Sequence, residues 1–138
     1  MKGCVFCNLS GSTAIADKIL YETSNFYVIT TVGCLTENYI MIVSKPHLVS
    51  ICYANDDLKK EFVELVDIFG SLLRNECGFH PVLFEHGASE NESNKSGCCV
   101  LHAHLHIVPH KLSISEEMVN ILGLKKDKWV YRFFYYGF

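Results

Sequence analysis

Three histidines occupy alternate positions in the segment Leu101-His102-Ala103-His104-Leu105-His106-Ile107-Val108-Pro109. Successive side chains of an extended strand point to opposite faces, so His102, His104 and His106 share one face while Leu101, Ala103, Leu105 and Ile107 pack beneath. Imidazole changes charge near neutral pH, which suits it to act as nucleophile, general acid or general base. A strand face that is merely wetted has no use for three of them in strict alternation, and the row reads as a reactive surface. A second chemical group stands near the start, Cys4-Val5-Phe6-Cys7. A two-residue gap lets both sulfurs approach one zinc ion, which then needs two more ligands from elsewhere in the chain. Idle buried thiols and a thioredoxin-type redox pair are the alternatives; the redox pair expects the motif at a helix start within a βαβ pattern, whereas this one precedes the fold.

These residues must be positioned by elements that the sequence also indicates. Ile19 and Tyr21, then Phe26 to Thr30, read as short strands separated by the turn formers Ser24 and Asn25. Tyr39 to Val43 is a continuous β-rich run stopped by Ser44, Lys45 and Pro46. Leu58, Phe62, Leu65, Val66, Phe69, Leu72 and Leu73 recur at three- and four-residue steps and predict one long helix. Asn55 is placed to cap it, Asp56 and Asp57 lie at the positive end of its dipole, and Gly78 is placed to end it. Pro81 to Glu85 reads as a further strand, His86 to Gly97 as a polar loop, and Val100 to Val108 as a strand closed by Pro109. Ser115 to Leu122 reads as a short helix and Trp129 to Tyr136 as an aromatic strand. One long helix among five or six strands gives an α+β domain with a mainly antiparallel sheet and a short C-terminal helix.

Composition bounds the rest. The 138 residues suit a single domain over 1–138, and 49% hydrophobic residues are enough to bury a core. Twelve basic against fifteen acidic residues, a net charge of −3, offer no broad positive field to duplex nucleic acid. No apolar run approaches membrane-spanning length, and Cys4, Cys7, Asn8, Ser10 and Asp17 stand where a signal peptide would need an apolar stretch. The expectation is a cytoplasmic protein without a membrane partner. Seven cysteines, an odd number in such a chain, suggest thiols or metal ligands rather than a disulfide framework.

The run His102-Ala103-His104-Leu105-His106-Ile107-Val108 resembles the His-x-His-x-His motif of the histidine triad proteins, a superfamily of nucleotide hydrolases and transferases. The likeness extends from the Cys-x-x-Cys start through Ser44-Lys45-Pro46-His47 to Gly97 before the triad. It implies an α+β fold with an antiparallel sheet, a homodimer, and nucleotidyl transfer through a covalent intermediate. In that scheme His104 attacks the α-phosphorus of a nucleoside phosphoramidate or dinucleoside polyphosphate. The backbone carbonyl of His102 holds the remote N–H of the nucleophile, and His106 neutralises charge on the phosphate oxygens or leaving group. Backbone amides of Cys98 and Cys99 assist, and this chemistry requires no metal. Zinc-containing bacterial-type members, like galactose-1-phosphate uridylyltransferase, imply His47 and His102 as the partners of Cys4 and Cys7 in a structural zinc site. The Glu85-His86-Gly87 turn lies where relatives contact the nucleotide, so Glu85 joins Cys98, Cys99 and Thr31 as a candidate substrate contact. Cys98 stands where hydrolase branches often carry Gln, Cys99 replaces a Ser or Thr, and Thr31 replaces a ribose-binding Asp. The departures at Cys98 and Thr31 set a nucleotide-binding or scaffold protein with little turnover beside the hydrolase reading; the resemblance to uridylyltransferases adds a transferase to an acceptor other than water, against which His106 favours the hydrolase branch. His80 and His110 are expected at the surface. The aromatic run Trp129 to Phe138 is expected to meet a dimer partner.

Overall fold

The computed structural model describes residues 4–11, 18–30, 36–85, 100–111 and 120–121. Five strands, β1 (Ile19–Glu22), β2 (Phe26–Ile29), β3 (Ile40–Ser44), β4 (His80–Glu85) and β5 (His104–His110), form one antiparallel sheet in the order β1-β2-β3-β5-β4. The long helix α1 (Asp56–Asn75) joins β3 to β4 after a 3-10 turn at Ile51–Tyr53. The α+β class follows directly. The Ser115–Leu122 reading falls outside the described residues except at Asn120 and Ile121, which are helical. The His86–Gly97 loop and the Trp129–Tyr136 strand lie wholly outside them.

Each side of the sheet is covered by a different element because the strand period of two separates its side chains. Phe26, Val28, Ile40, Ile42 and Ile107 meet Phe62, Leu65 and Leu73 of α1. On the opposite side Ile29, Tyr39, Met41 and Val43 meet Phe6 and Leu9 of a 3-10 helix at Phe6–Gly11. This second layer matters most for chemistry, since His104 and His106 pair with Val43 and Met41 and therefore share their face.

Helix α1 starts where the sequence indicates: the Asn55 side chain accepts the Leu58 N–H at 2.9 Å, and Asp56 and Asp57 occupy the first turn. It ends through Gly78, whose φ of +68° is a left-handed conformation that a side chain resists. The Phe79 N–H then closes back on the Leu73 carbonyl at 3.0 Å. Glu61 of α1 also secures the β1–β2 turn, accepting the Asn25 backbone N–H at 3.1 Å and its amide at 2.7 Å.

The triad strand differs from its sequence reading. It runs from His104 to His110 rather than from Val100 to Val108. Residues before it spend their backbone groups elsewhere: Ala103 N–H donates to the Leu48 carbonyl at 2.6 Å, and His102 N–H turns back to Val100 at 3.0 Å. At the other end the strand continues through Pro109, which faces Pro81 of β4. Neither ring can donate, so the two occupy a non-hydrogen-bonded pair, where no N–H is asked of them between these strands. On its other side β5 is paired with β3 only as far as Ile107, so Pro109 interrupts no ladder there.

Candidate functional site

His102 is fully buried on a bend two residues ahead of β5. Its Nε2 donates to the Ser44 carbonyl at 2.6 Å, and a carbonyl can only accept, so the proton lies on Nε2 and the Nδ1 lone pair is free to face elsewhere. It faces Cys4 Sγ at 3.3 Å, Cys7 Sγ at 3.7 Å and His47 Nδ1 at 3.2 Å, while Cys7 Sγ lies 3.2 Å from His47 Nδ1. All four ligand atoms fall within 4.8 Å of one another.

The donor set can be tested against metal geometry. A tetrahedron with the usual zinc–sulfur and zinc–nitrogen bond lengths has edges of about 3.3 to 3.8 Å. Four of the six separations are 3.2 to 3.7 Å, and all six are within 4.8 Å, close enough for small shifts to bring the atoms onto one ion. Two imidazole Nδ1 atoms approaching this closely, with two sulfurs around them, fit four lone pairs aimed at one cation better than a set of mutual hydrogen bonds. Burial lowers the His102 pKa, the nearby His47 and His104 add to the effect, and the hydrogen bond to Ser44 opposes it; the net result favours the neutral ligand form. Burial pushes the Cys7 thiol up, with the neighbouring Cys4 contributing, as expected for two sulfurs crowded together. The Cys4, Cys7, His47 and His102 cluster is therefore able to hold a metal ion such as zinc.

From this cluster the backbone leads to the second histidine. Nδ1 of His104 lies 2.5 Å from the His102 carbonyl oxygen, which again can only accept, so Nδ1 carries the proton and Nε2 presents its lone pair. Phe6 packs on both imidazoles, with ring centroids 5.7 Å from His102 and 5.1 Å from His104. Phe6, one of the two residues between the cysteines, thus covers the link between cluster and strand. His106 follows on the same face, its ring 4.8 Å from that of His104 at an interplanar angle of 71°.

His106 has neighbours that the sequence reading did not single out. Phe84 stands directly opposite it on β4 and stacks on it at 4.6 Å and 14°. Tyr39 lies alongside at 5.8 Å and 15°, and its hydroxyl forms a hydrogen bond with His106 Nδ1. The sequence carried no signal for them, because the pairing of Met41 with His106 that brings Tyr39 alongside is set by strand register.

Glu85 has a different environment. It pairs with Leu105 and so shares the face opposite His104 and His106. Its carboxylate accepts the Ser50 hydroxyl at 3.0 Å and the Ile51 N–H at 2.8 Å. Burial raises its pKa, against the opposing influence of those bonds and of His104. Cys98, Cys99 and Thr31 lie outside the described residues. His80 and His110 face each other at the far end of β4 and β5, about 13 Å along the strand from His106.

No family model matches the chain. The protein named "Protein hit" of Bacillus subtilis (strain 168) is 24% identical over 108 residues, covering 78% of this chain and 71% of that protein. Among solved structures, a HIT family protein from Bacillus anthracis superposes with a TM-score of 0.65 at 18% identity, over 81% of this chain and 76% of its own. A histidine triad nucleotide-binding protein from Candida albicans gives 0.63 at 20% identity, over 79% and 76%. A HIT family hydrolase from Clostridium thermocellum gives 0.57 at 17% identity, over 79% and 91%. At these identities the likeness is one of fold.

Proposed function

We propose, from the histidine triad fold that this chain carries, that it is a nucleotide hydrolase acting at the α-phosphorus of nucleoside phosphoramidates or dinucleoside polyphosphates. The observation that carries the reading is the His104 Nδ1–H donated to the His102 carbonyl at 2.5 Å. It leaves Nε2 of a neutral imidazole as the nucleophile, on a ring that Phe6 and His106 hold in place. The Nε2 lone pair forms the bond to phosphorus, and the bond from phosphorus to the amine or phosphate breaks, its electron pair leaving with that group. His106 donates a hydrogen bond or proton to the phosphate oxygens or leaving group. Water then attacks the nucleotidyl-histidine, the bond from phosphorus to Nε2 breaks, the proton of the water passes to His106 in place of the one it gave, and the nucleoside monophosphate leaves with His104 restored. Backbone amides at Cys98 and Cys99, with Thr31 at the ribose, complete the proposed substrate contacts.

In this reading Cys4, Cys7, His47 and His102 hold zinc, which supplies folding energy by tying the N-terminal segment to the sheet and takes no part in the reaction. His102 transmits that rigidity to the nucleophile through its own backbone carbonyl. The assembly is a homodimer.

Rapid-quench intact mass spectrometry with a panel of the two substrate classes tests the mechanism. The wild type is expected to show a transient added nucleotide mass, and His104→Ala is expected to show none while keeping its fold and metal. Turnover retained in His104→Ala would refute the nucleophile. Tight nucleotide binding with no adduct and no product would replace the hydrolase by a binding protein. A product formed only with an added acceptor would make it a transferase.

A further inference from the structure

The aromatic neighbours of His106 are arranged too specifically to serve as filler. The rings of Tyr39 and Phe84 lie within 15° and 14° of the imidazole plane, one contributed from the β3 side and one from β4. Phe84 covers a face of the imidazole at 4.6 Å while Tyr39, its centroid 5.8 Å away, reaches the Nδ1 edge with its hydroxyl, and together they fix the imidazole plane. Stacking alone does not distinguish the two ring nitrogens, since a flipped imidazole fills the same space. The Tyr39 hydroxyl does distinguish them, because it is bonded to Nδ1.

We infer that Tyr39 is a positioning residue for His106, its hydroxyl fixing Nδ1 as the acceptor so that Nε2 carries the proton toward the substrate. The inference rests on the proposed role of His106 as the donor to phosphate or leaving group. A phenol is a better donor than acceptor, while the unprotonated nitrogen of a neutral imidazole is a strong acceptor, so the bond runs from Tyr39 to Nδ1. Should His106 gain a second proton, Nδ1–H turns and donates to the same hydroxyl oxygen, and Nε2 keeps its proton. In the neutral form His106 thus offers Nε2–H as a hydrogen-bond donor, and a proton given up from the doubly protonated form leaves Nδ1–H bonded to the same hydroxyl oxygen. Burial strengthens the effect, for Tyr39 is only 7% exposed and water competes poorly for Nδ1. The Tyr39–His106 pair complements the arrangement at His104. There a carbonyl forces the proton onto Nδ1 and leaves Nε2 bare, and here a hydroxyl donates to Nδ1 and leaves Nε2 protonated. Two adjacent imidazoles of one strand are set to opposite tautomers by opposite kinds of partner, which is what a nucleophile and a donor acting on one phosphorus centre require.

The test is nitrogen-15 NMR of the labelled full chain, read together with steady-state kinetics on a nucleoside phosphoramidate. In the wild type, His106 should show a protonated Nε2, an unprotonated Nδ1 and a slowly exchanging Tyr39 hydroxyl proton. Tyr39→Phe keeps the ring and removes the donor. Its two His106 nitrogens should move toward a common averaged shift, and kcat should fall about tenfold, the rate equivalent of one hydrogen bond, with KM nearly unchanged. Phe84→Leu removes the stack alone and should preserve the wild-type nitrogen pattern. A protonated Nδ1 in the wild type, an unaltered pattern or unaltered kcat in Tyr39→Phe, or a pattern lost in Phe84→Leu would each overturn the inference. If the wild type shows no turnover, the functional reading fails while the nitrogen pattern still decides the tautomer. If Tyr39→Phe does not fold, the wild-type pattern and hydroxyl proton decide it alone.

Discussion

His102 carries three tasks on one residue: its Nδ1 faces the two cysteines and His47, its Nε2 donates to Ser44, and its carbonyl receives His104. Substitution separates the ring from the carbonyl. His102→Ala keeps the backbone acceptor but deletes a fully buried ring and leaves the Ser44 carbonyl without that donor. We expect a loss of about 3 kcal/mol in urea unfolding, loss of bound zinc by metal analysis, and loss of turnover despite an intact His104. The depressed His102 pKa also fixes the sign of a pH effect on the metal-free protein. The unfolded chain binds a proton at this ring at higher pH than the folded chain, so stability falls as pH drops below the ordinary histidine range and is recovered above it. A stability curve of the chelator-treated protein that rises on acidification from pH 7 to 5 would contradict this.

Two glutamates show how element junctions titrate in opposite directions. Burial would raise Glu61, but hydrogen bonds from Thr23 and Asn25 and the charge of Lys45 outweigh it and lower its pKa. Its stabilisation of the β1–β2 turn is therefore fully present above the ordinary glutamate range and is lost as pH falls through the folded value. Glu85 is shifted upward, chiefly by burial, so its ionisation costs stability as pH rises through the ordinary glutamate range toward its folded value. Melting temperatures from pH 3 to 7 should accordingly show a smaller acid-side loss in Glu61→Gln and a gain near neutral pH in Glu85→Gln. At the end of α1, Gly78→Ala should cost about 1 kcal/mol in chemical unfolding. Among the described residues no atom beyond its own chain neighbours lies within 4 Å of the added methyl, so that cost is one of backbone conformation.

Most element positions were legible because they rest on local chemistry. Asn55, Asp56, the apolar stripe and Gly78 define α1 to within a few residues of Asp56–Asn75. The start of the last strand was not legible. Periodicity places Val100 in it, yet the deciding bond, Ala103 N–H to the Leu48 carbonyl, joins residues 55 apart in the chain. For the same reason the stack of Tyr39 and Phe84 on His106 escaped, since register between strands is a tertiary property. Glu85 was singled out by resemblance to the nucleotide-contacting turn of relatives; its contacts to Ser50 and Ile51 depend on strand alternation and on residues 34 and 35 positions away.

At the scale of the whole molecule, the N-terminal segment is joined to the sheet by the Cys4, Cys7, His47 and His102 cluster and by Phe6 and Leu9 packed on the face of β2 and β3. Among the described residues no helix is long and apolar enough to cross a membrane. Cys4→Ser and Cys7→Ser should lower the melting temperature and make it insensitive to chelator, while the wild type should melt earlier once its metal is removed. Sedimentation should give twice the 15.6 kDa chain mass if two copies associate as proposed.

The facing prolines of β4 and β5 have a consequence for what can be added to this sheet. Because Pro81 and Pro109 form a non-hydrogen-bonded pair, the backbone of Pro81 turns its polar groups away from β5, toward the outer margin of β4. There an ordinary residue would present an N–H, and Pro81 presents none. Among the described strands β4 is outermost, and a strand added there would find donors at Leu83 and Glu85 and a gap at Pro81, so it would take its register from one half of β4. The gap also shortens the template on which misassembled chains could grow. Pro81→Val should restore the missing donor and increase fibril formation on prolonged heating, read by dye fluorescence, without moving the face that carries His104 and His106.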